Sequence, residues 1–181
     1  MGGPRALWGV RSRLSGSWIG SAVLVVAVAL VVMRPWEAGA GGAAGPASAI
    51  AYVTRAIDGD TIEVRLDGHY EDVRYIGVDT PETVKPDTPV QCFGPRASAF
   101  DHRFVEHRRV RLVFGVERRD IYGRLLAYVH LGPRFVNAIL VRRGLARSLT
   151  IPPNDRYAPL FHRLELGAAR AGRGLWGACP T

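Results

Sequence analysis

Hydrophobic and polar residues alternate most regularly between residues 61 and 66, where Ile62, Val64 and Leu66 are separated by polar side chains. This period of two is typical of a strand that buries one face. Other short hydrophobic runs, bounded by turn residues, predict four more strands. The five predicted strands are Ala51–Ala56, Thr61–Leu66, Val73–Val78, Val110–Val116 and Leu125–Leu131.

Three other segments carry hydrophobic residues at the helical spacing of three and four. The first has Pro95 at a favourable first helical position, and the second is stopped by Gly144. The predicted helices are Pro95–His107, Phe135–Arg143 and Pro159–Ala171. Residues 80–93 contain three prolines and no clear period, which predicts a long loop of the kind that often carries function.

This order of elements predicts an α+β fold in one domain, residues 50–181. The first three strands follow one another through short turns, as in a meander. Five short strands of this kind suit a small closed β-barrel with three α-helices around it, because closure leaves no strand edge unpaired.

The chain before this domain has a different composition. Residues 1–17 are basic, residues 18–33 form an uncharged apolar run, and residues 34–49 are rich in Gly, Ala and Pro, as in a flexible linker. Arginines precede the apolar run, so the positive-inside rule keeps the amino terminus in the cytoplasm and predicts an extracytoplasmic domain. The run is either a transmembrane anchor or a cleaved signal segment, since small residues at 38–40 and 47–49 have cleavage spacing.

The chain has a formal net charge of +8, and Lys85 is the single lysine among its 24 cationic residues. Arginine binds phosphate through paired hydrogen bonds, so this composition favours polyanionic partners. A genome-wide preference for arginine codons explains it equally well. Charge alone does not separate nucleic acid from an acidic membrane as the partner.

Two cysteines, Cys92 and Cys179, lie in the predicted exported domain. An oxidising compartment permits a disulfide between them, which we predict, and two free thiols are the alternative. Both are too isolated in sequence for a zinc site.

Acidic residues cluster at three predicted turns. The clusters are Asp58 with Asp60, Asp79 with Glu82, and Asp120. Taken singly, each is more often an ordinary solvated turn than a ligand site. Together with Arg74 and Arg124 these acidic residues favour a catalytic site, because phosphodiester hydrolysis needs cations around the phosphate and a base for the attacking water. Hard oxygen ligands favour calcium or magnesium over zinc, and the five histidines are scattered.

Arg74 and Asp79 are an odd number of positions apart, so an uninterrupted strand would send their side chains to opposite faces. A bulge or twist near Gly77, or a position of Asp79 beyond the strand end, would bring both to one site. We therefore predict an irregularity at this point.

Five segments resemble the thermonuclease family of staphylococcal-nuclease-like proteins in their order and spacing. The segments are AIDGDTIEV, VRYIGVDTPET, FGPRASAF, DIYGRLLAYV and VNAILVRRGLA, and the resemblance covers residues 51–176. It implies a five-stranded OB-type barrel with three helices. It also implies calcium-dependent cleavage of DNA and RNA that leaves 3′-phosphorylated ends.

The resemblance implies a metal site at the first two acidic turns. Asp58 and Asp79 would be carboxylate ligands of calcium. Thr80 would offer its backbone carbonyl, and Asp60 would lie beside the metal.

The resemblance also implies roles in catalysis and substrate binding. Arg74 and Arg124 would bind the phosphate and stabilise the charge that grows in the transition state. Glu82 would orient or deprotonate the attacking water, and Tyr122 would contact a terminal phosphate.

Two places depart from the family pattern. Ile121 stands where the best-known members carry a lysine, which predicts a weaker pocket for the terminal phosphate. Residues 148–153 replace tyrosines that flank the base in those members, which predicts weaker base stacking and a broader preference.

An inactive nucleic-acid-binding barrel is the main alternative function, and a membrane-surface adaptor is a third. Inactive members of the family typically lose the metal carboxylates or the arginines, whereas this chain retains both. The predicted partners are DNA or RNA and, through residues 18–33 if they are uncleaved, a membrane. No obligate protein partner is predicted.

Overall fold

The computed structural model describes residue 2, residues 47–83 and residues 89–179. The predicted cytoplasmic segment, the apolar run and most of the linker lie outside the described residues, and the predictions made for them stay predictions. Among the described residues, no helix is both long enough and apolar enough to span a membrane.

Five strands in the described part of the chain form a closed barrel, as predicted. They are β1 (Ser48–Ala56), β2 (Thr61–Leu66), β3 (His69–Tyr75), β5 (Arg109–Arg119) and β6 (Leu125–Leu131). The order β3-β2-β1-β5-β6 is antiparallel throughout, and a parallel pairing of β3 with β6 closes the barrel. The two-residue strand β7 (Arg134–Phe135) pairs antiparallel with the end of β6, while β4 (Val78–Asp79) pairs with β8 (Arg147–Ser148) in a separate ladder.

Alternate side chains of these strands fill the barrel. In β2, Ile62 and Val64 are fully buried while Arg65 is exposed. Val73 of β3 and Leu112 of β5 are also fully buried. Burial of each of these side chains stabilises the fold by about 1.5 to 3 kcal/mol. Because apolar side chains fill the interior of the barrel, the polar residues of the site lie in the turns at its rim.

The three predicted helices are confirmed. They are α1 (Gly94–Val105), α2 (Val136–Arg142) and α3 (Ala158–Arg170), and a four-residue helix α4 (Leu175–Ala178) follows them. Proline lies in the first turn of α1 and of α3, where its missing N–H costs no intrahelical hydrogen bond. Helix α3 packs on α2 and buries Phe161, whereas α4 is too short for a helical period to predict it.

Strand β3 ends at Tyr75, so the continuous strand that the sequence predicts over Val73–Val78 is wrong. Gly77 adopts a φ of +80° and turns the chain into β4. A Cβ atom at Gly77 would overlap the ring of Phe161, so both the conformation and the close approach of α3 require glycine. The predicted irregularity near Gly77 is thereby confirmed.

Asn137 of α2 fixes this turn from inside the molecule. Its Oδ1 accepts a hydrogen bond from Val129 N–H at 2.9 Å, and its Nδ2 donates to the Ile76 carbonyl at 2.8 Å. The side chain is fully buried and bonded on both ends, as a buried amide must be. Helix α2 therefore determines where the β3–β4 turn lies.

Cys92 and Cys179 form a disulfide with their Cα atoms 5.9 Å apart, which confirms the predicted bridge. It joins the segment before α1 to the residue that follows α4. Constraining a loop of this length stabilises a fold by roughly 4 to 5 kcal/mol in the chain-entropy model.

Candidate active site

A cleft of about 540 Å³ opens at the rim of the barrel, between the β1–β2 turn, strand β3, the segment 79–82 and the β5–β6 turn. All eight side chains that the sequence singles out for metal, phosphate or water line it. They are Asp58, Asp60, Arg74, Asp79, Thr80, Glu82, Tyr122 and Arg124. The fold thus brings together residues that lie up to 66 positions apart in the chain.

Asp58 lies in the β1–β2 turn and faces the loop after β4. Its Oδ1 accepts hydrogen bonds from Gly59 N–H at 2.6 Å and from Thr83 Oγ1 at 2.9 Å. A Cβ atom at Gly59 would press on the side chain of Thr80 at 2.9 Å, so glycine allows the two turns to approach. These contacts hold Asp58 at the side of the cleft.

Asp60 lines the cleft and is 4% exposed. Its Oδ2 accepts hydrogen bonds from Thr80 N–H at 2.6 Å and from Thr80 Oγ1 at 2.9 Å. The same oxygen lies 2.9 Å from Nη1 of Arg74. Asp60 is therefore the carboxylate that links the β1–β2 turn to both Arg74 and Thr80.

Arg74 is directed into the cleft near the end of β3. Its Nη2 donates to Asp79 Oδ1 at 3.0 Å, and its Nη1 donates to the Val78 carbonyl at 2.9 Å. The turn at Gly77 makes these contacts possible, because it brings Asp79 back towards Arg74 despite their odd spacing. Only 15% of the Arg74 side chain is exposed, against 55% for Asp79.

Arg124 enters the cleft from the β5–β6 turn. Its Nε and Nη2 contact Asp120 Oδ2 at 2.8 Å and 2.7 Å, in a paired arrangement. Asp120 Oδ1 also accepts the backbone N–H groups of Tyr122 and Arg124, each at 3.0 Å. One carboxylate therefore shapes the turn and orients the guanidinium that it presents.

The backbone of Glu82 is held by Gln91 from both sides. Glu82 N–H donates to Gln91 Oε1 at 3.0 Å, and Gln91 N–H donates to the Glu82 carbonyl at 2.9 Å. The Glu82 side chain accepts Thr83 N–H at its Oε1, at 3.0 Å. This clamp holds an acidic side chain at the edge of the cleft.

Three contributors to the site are not among the residues that the sequence singles out for it. Thr83 bonds to Asp58, Gln91 holds Glu82, and Asp120, recognised only as a turn acid, orients Arg124. The sequence predicts the pairing of Asp120 with Arg124 in one turn, but as the alternative to a catalytic role for Arg124. No pattern in the sequence indicates the role of Gln91, because residues 83–90 separate it from Glu82.

Burial and mutual repulsion make it unfavourable for the carboxyl groups of the cleft to ionise unless a positive charge lies nearby. Burial raises the pKa of Asp58 to about 6, and the neighbouring charges of Asp60 and Glu82 add to this effect. Burial also raises the pKa of Asp60, although Arg74 and the hydrogen bonds from Thr80 oppose the shift. A bound cation would offset the cost of ionising these groups.

The cleft offers carboxylate, carbonyl and hydroxyl oxygens, the donor atoms that Ca²⁺ and Mg²⁺ prefer. Within residues 47–83 and 89–179, no group of three or more acidic, histidine or cysteine side chains has the compact arrangement of a metal centre.

Comparison with known families identifies the architecture. Residues 72–178, more than half of the chain, match the model of the staphylococcal nuclease homologue family. The chain belongs to this family. The matched range includes Arg74, Asp79, Thr80, Glu82 and Arg124.

Individual staphylococcal nuclease homologues support the assignment. A thermonuclease of Staphylococcus intermedius is 49% identical over 124 residues, which is 68% of this chain and 74% of that protein. The thermonuclease of Staphylococcus hyicus is 45% identical over 68% of this chain and 73% of its own length. Endonuclease YncB of Bacillus subtilis (strain 168) is 43% identical over 67% of this chain and 59% of its own length. The chain is thus a nuclease that hydrolyses phosphodiester bonds.

Proposed function

We propose that the protein is a calcium-dependent nuclease that cleaves DNA, RNA or both with little sequence specificity and leaves 3′-phosphorylated products. The observation that carries this proposal is the convergence of two arginines and five acidic residues in one cleft. Its family membership supports the same chemistry.

We propose Asp60 and Asp79 as carboxylate ligands of calcium, with Thr80 offering its backbone carbonyl and Asp58 beside them. The sequence-based expectation gave the direct role to Asp58 and the neighbouring one to Asp60. The contacts of Asp60 with Thr80 and Arg74 favour the reverse order, since Asp58 is directed towards Thr83. Bound calcium would supply positive charge beside the phosphate and the attacking water.

Arg74 and Arg124 would bind the non-bridging oxygens of the scissile phosphate and stabilise the negative charge that develops there. A guanidinium group can donate paired hydrogen bonds to phosphate oxygens. Asp79 and Asp120 restrain them, so little reorganisation is needed when charge develops. One of the two would also assist the leaving oxygen.

Glu82 would orient the attacking water or accept its proton. Its position on the wall of the cleft and the clamp by Gln91 support this role. A general base contributes about 10²- to 10⁴-fold to a rate, and it needs to lie within hydrogen-bond reach of the water.

Tyr122 would contact a terminal phosphate of the substrate. It is 78% exposed beside Arg124, and its ring lies 5.4 Å from the Arg124 guanidinium carbon. Ile121 is 91% exposed and offers no charge there, so this contact would be weak. Leu149 and Ile151 border the neighbouring apolar groove with aliphatic side chains, which favours weak discrimination between bases.

An extracytoplasmic location, either membrane-anchored or secreted, is part of the proposal. The disulfide between Cys92 and Cys179 supports it, because such bonds persist in oxidising compartments. The apolar run of residues 18–33 supports it from the sequence. The proposal includes no obligate protein partner.

The test is incubation of the full chain with single-stranded and double-stranded DNA and with RNA, in calcium and in excess chelator. We expect cleavage in calcium alone, and products whose 3′ ends are sensitive to phosphatase. Cleavage that survives chelation would contradict the metal role. Binding without cleavage in any divalent ion would favour the inactive nucleic-acid-binding module.

A further inference from the structure

A second depression of about 210 Å³ adjoins the catalytic cleft on its β4 side. The two depressions have Asp79 and Thr80 in common among their lining residues and therefore adjoin each other, and we call the pair the groove. The disulfide between Cys92 and Cys179 borders the far side of the second depression. We call this depression the β8 subsite, because Arg147 of β8 lines it.

Arg147 faces the same side of the molecule as Asp79. The two residues are directly opposite in the antiparallel β4–β8 ladder, and directly opposite residues direct their side chains to the same face. Their Cα atoms are therefore about 5 Å apart. A guanidinium thus lies one strand away from a residue of the catalytic cleft.

The orientation of Arg147 is set by Trp176 of α4. The guanidinium carbon of Arg147 lies 4.5 Å from the centre of the Trp176 ring, a cation–π contact. Helix α4 is itself anchored, since Leu175 N–H donates to the Gly144 carbonyl at 2.9 Å and Cys179 is bonded to Cys92. The fold therefore presents this cation in a fixed position at the rim of the groove.

The charge of Arg147 is available to a ligand. Among the described residues, the salt bridges of Arg55, Arg74, Arg119 and Arg124 have carboxylate partners, and no salt bridge includes Arg147. Stacking on an aromatic ring leaves the edge of a guanidinium open for paired hydrogen bonds to phosphate.

The side of the catalytic cleft next to the β5–β6 turn is lined by carboxylates. A depression there is bordered by Glu63, Glu71 and Asp72, shares Asp72, Tyr122 and Arg124 with the cleft, and has Glu63 and Glu71 in salt bridges with Arg55 and Arg119. A polyanion that leaves the cleft on that side meets carboxylates of which two are already paired with arginines, whereas on the β4 side it meets Arg147, which is in no salt bridge among the described residues. The groove therefore favours one exit for the strand.

We propose that the β8 subsite binds the backbone phosphate of a nucleotide adjacent to the scissile phosphodiester, through Arg147. The proposal rests on the proposed nuclease function and adds a second phosphate site to it. Arg147 then favours longer nucleic-acid substrates, because a substrate with several phosphodiesters contacts this cation and a substrate with only one does not.

The test compares Arg147→Gln with Arg143→Gln. Arg143 is a matched control, because it is a cation stacked on Phe100, with its guanidinium carbon 4.9 Å from the ring centre, and it does not line the groove. Each change removes one charge and one cation–π contact. Arg147→Lys restores the charge without the planar fork and should recover part of any loss.

The first readout is kcat/KM in calcium for a thymidine dinucleotide and an octanucleotide. One released counterion on a single strand corresponds to about fivefold in affinity at about 0.1 M salt. We therefore expect Arg147→Gln to reduce kcat/KM about fivefold more on the octanucleotide than on the dinucleotide, and Arg143→Gln to reduce both equally. Equal losses of Arg147→Gln on the two substrates, or no loss on either, would overturn the proposal.

The second readout does not depend on cleavage. Fluorescence anisotropy of a labelled octanucleotide in excess chelator gives the dissociation constant as a function of salt. The slope of log affinity against log salt should fall by about 0.7 in Arg147→Gln and stay unchanged in Arg143→Gln. An unchanged slope in Arg147→Gln would overturn the β8 subsite, whereas failure of the wild type to cleave would overturn the proposed function alone.

Discussion

Some residues of the cleft contribute by holding an arginine side chain in place, and this matters as much as the charge of the arginine itself. Arg74 is held by Asp79 and the Val78 carbonyl, and Arg124 is held by both oxygens of Asp120 through its side chain and backbone. A donor that is fixed before the reaction stabilises developing charge more than one that must be ordered during it. Residues that only hold an arginine should therefore affect turnover.

Asp120→Asn tests this restraint. The amide oxygen can still accept the backbone N–H groups of the turn, whereas the ion pair with Arg124 is lost. We expect kcat to fall by about 10- to 100-fold, because small misplacements of a catalytic group have effects of this size. Steady-state kinetics with a melting curve measures it. A normal kcat in a stably folded variant would show that Asp120 does not position Arg124.

At the scale of elements, the β3–β4 turn matters most for the site. Gly77 turns the chain, Asn137 holds the turn from α2, and Phe161 of α3 packs against it. The alternation in β2 and the periods of α1 to α3 were predictable from sequence, because they depend on local patterns. The odd spacing of Arg74 and Asp79 predicted an irregularity near Gly77, but the residue at which β3 ends was not predictable, because it depends on contacts with helices that follow much later in the chain.

Gly77→Ala tests the turn, with Gly68→Ala as its control. Both glycines have positive φ, +80° and +87°, but only the Cβ atom at Gly77 meets a neighbour, the Phe161 ring. We expect a loss of about 1 kcal/mol at Gly68 from conformation and roughly 2 to 4 kcal/mol at Gly77 from conformation and overpacking together. Chemical denaturation measures both. Equal losses would mean that Phe161 does not constrain the turn.

A buried acid in α1 provides a pH-dependent test of the packing between α1 and β3. Tyr75 donates a hydrogen bond to Asp101 Oδ2 at 3.0 Å, and Asp101 is fully buried. Burial raises the pKa of Asp101 well above its ordinary value, against the opposing effect of the Tyr75 hydrogen bond. The folded state therefore binds this proton more tightly than the unfolded chain does.

The sign of the effect follows from that difference in proton binding. The contribution of Asp101 to stability is fully present below its unfolded pKa of about 3.9 and is lost as the pH rises through its folded pKa. The free energy of unfolding of Asp101→Asn should therefore rise relative to that of the wild type as the pH increases from about 4 to about 7. Denaturant melts at several pH values measure it, and a constant difference would contradict an elevated folded pKa.

At the scale of the whole molecule, the disulfide connects the end of the chain to the loop that carries the site. Cys92 follows Gln91, which clamps Glu82, and Cys179 follows α4, which carries Trp176. The export predicted from residues 18–33 and the cysteine count made the bridge predictable. The roles of Gln91 and Arg147 were not predictable, because each depends on a contact between segments that only the folded chain brings together.

Cys92→Ser should lower the free energy of unfolding by about 4 kcal/mol in the absence of reductant, because it removes the constraint on the unfolded chain. Reductant should lower the melting temperature of the wild type towards that of the variant and leave the variant unchanged. Equal melting of the two proteins under oxidising conditions would mean that the bridge contributes nothing to stability.

The cleft as a whole is proposed to combine a calcium site, built around Asp60 and Asp79, with a phosphate site, built around Arg74 and Arg124. These two parts predict different kinetic signatures. Loss of a metal carboxylate should shift the calcium concentration needed for activity. Loss of an arginine should lower the maximal rate at saturating calcium by about 10²- to 10³-fold or more, the cost of removing a charge-stabilising donor.

Titration of the initial rate of DNA cleavage with calcium, for the wild type, Asp60→Asn and Arg74→Gln, tests both parts in one measurement. We predict no cleavage in chelator, a half-saturating calcium concentration raised by about tenfold or more in Asp60→Asn, and a lowered plateau in Arg74→Gln. A wild-type rate that is independent of calcium, or a normal plateau in Arg74→Gln, would contradict the account.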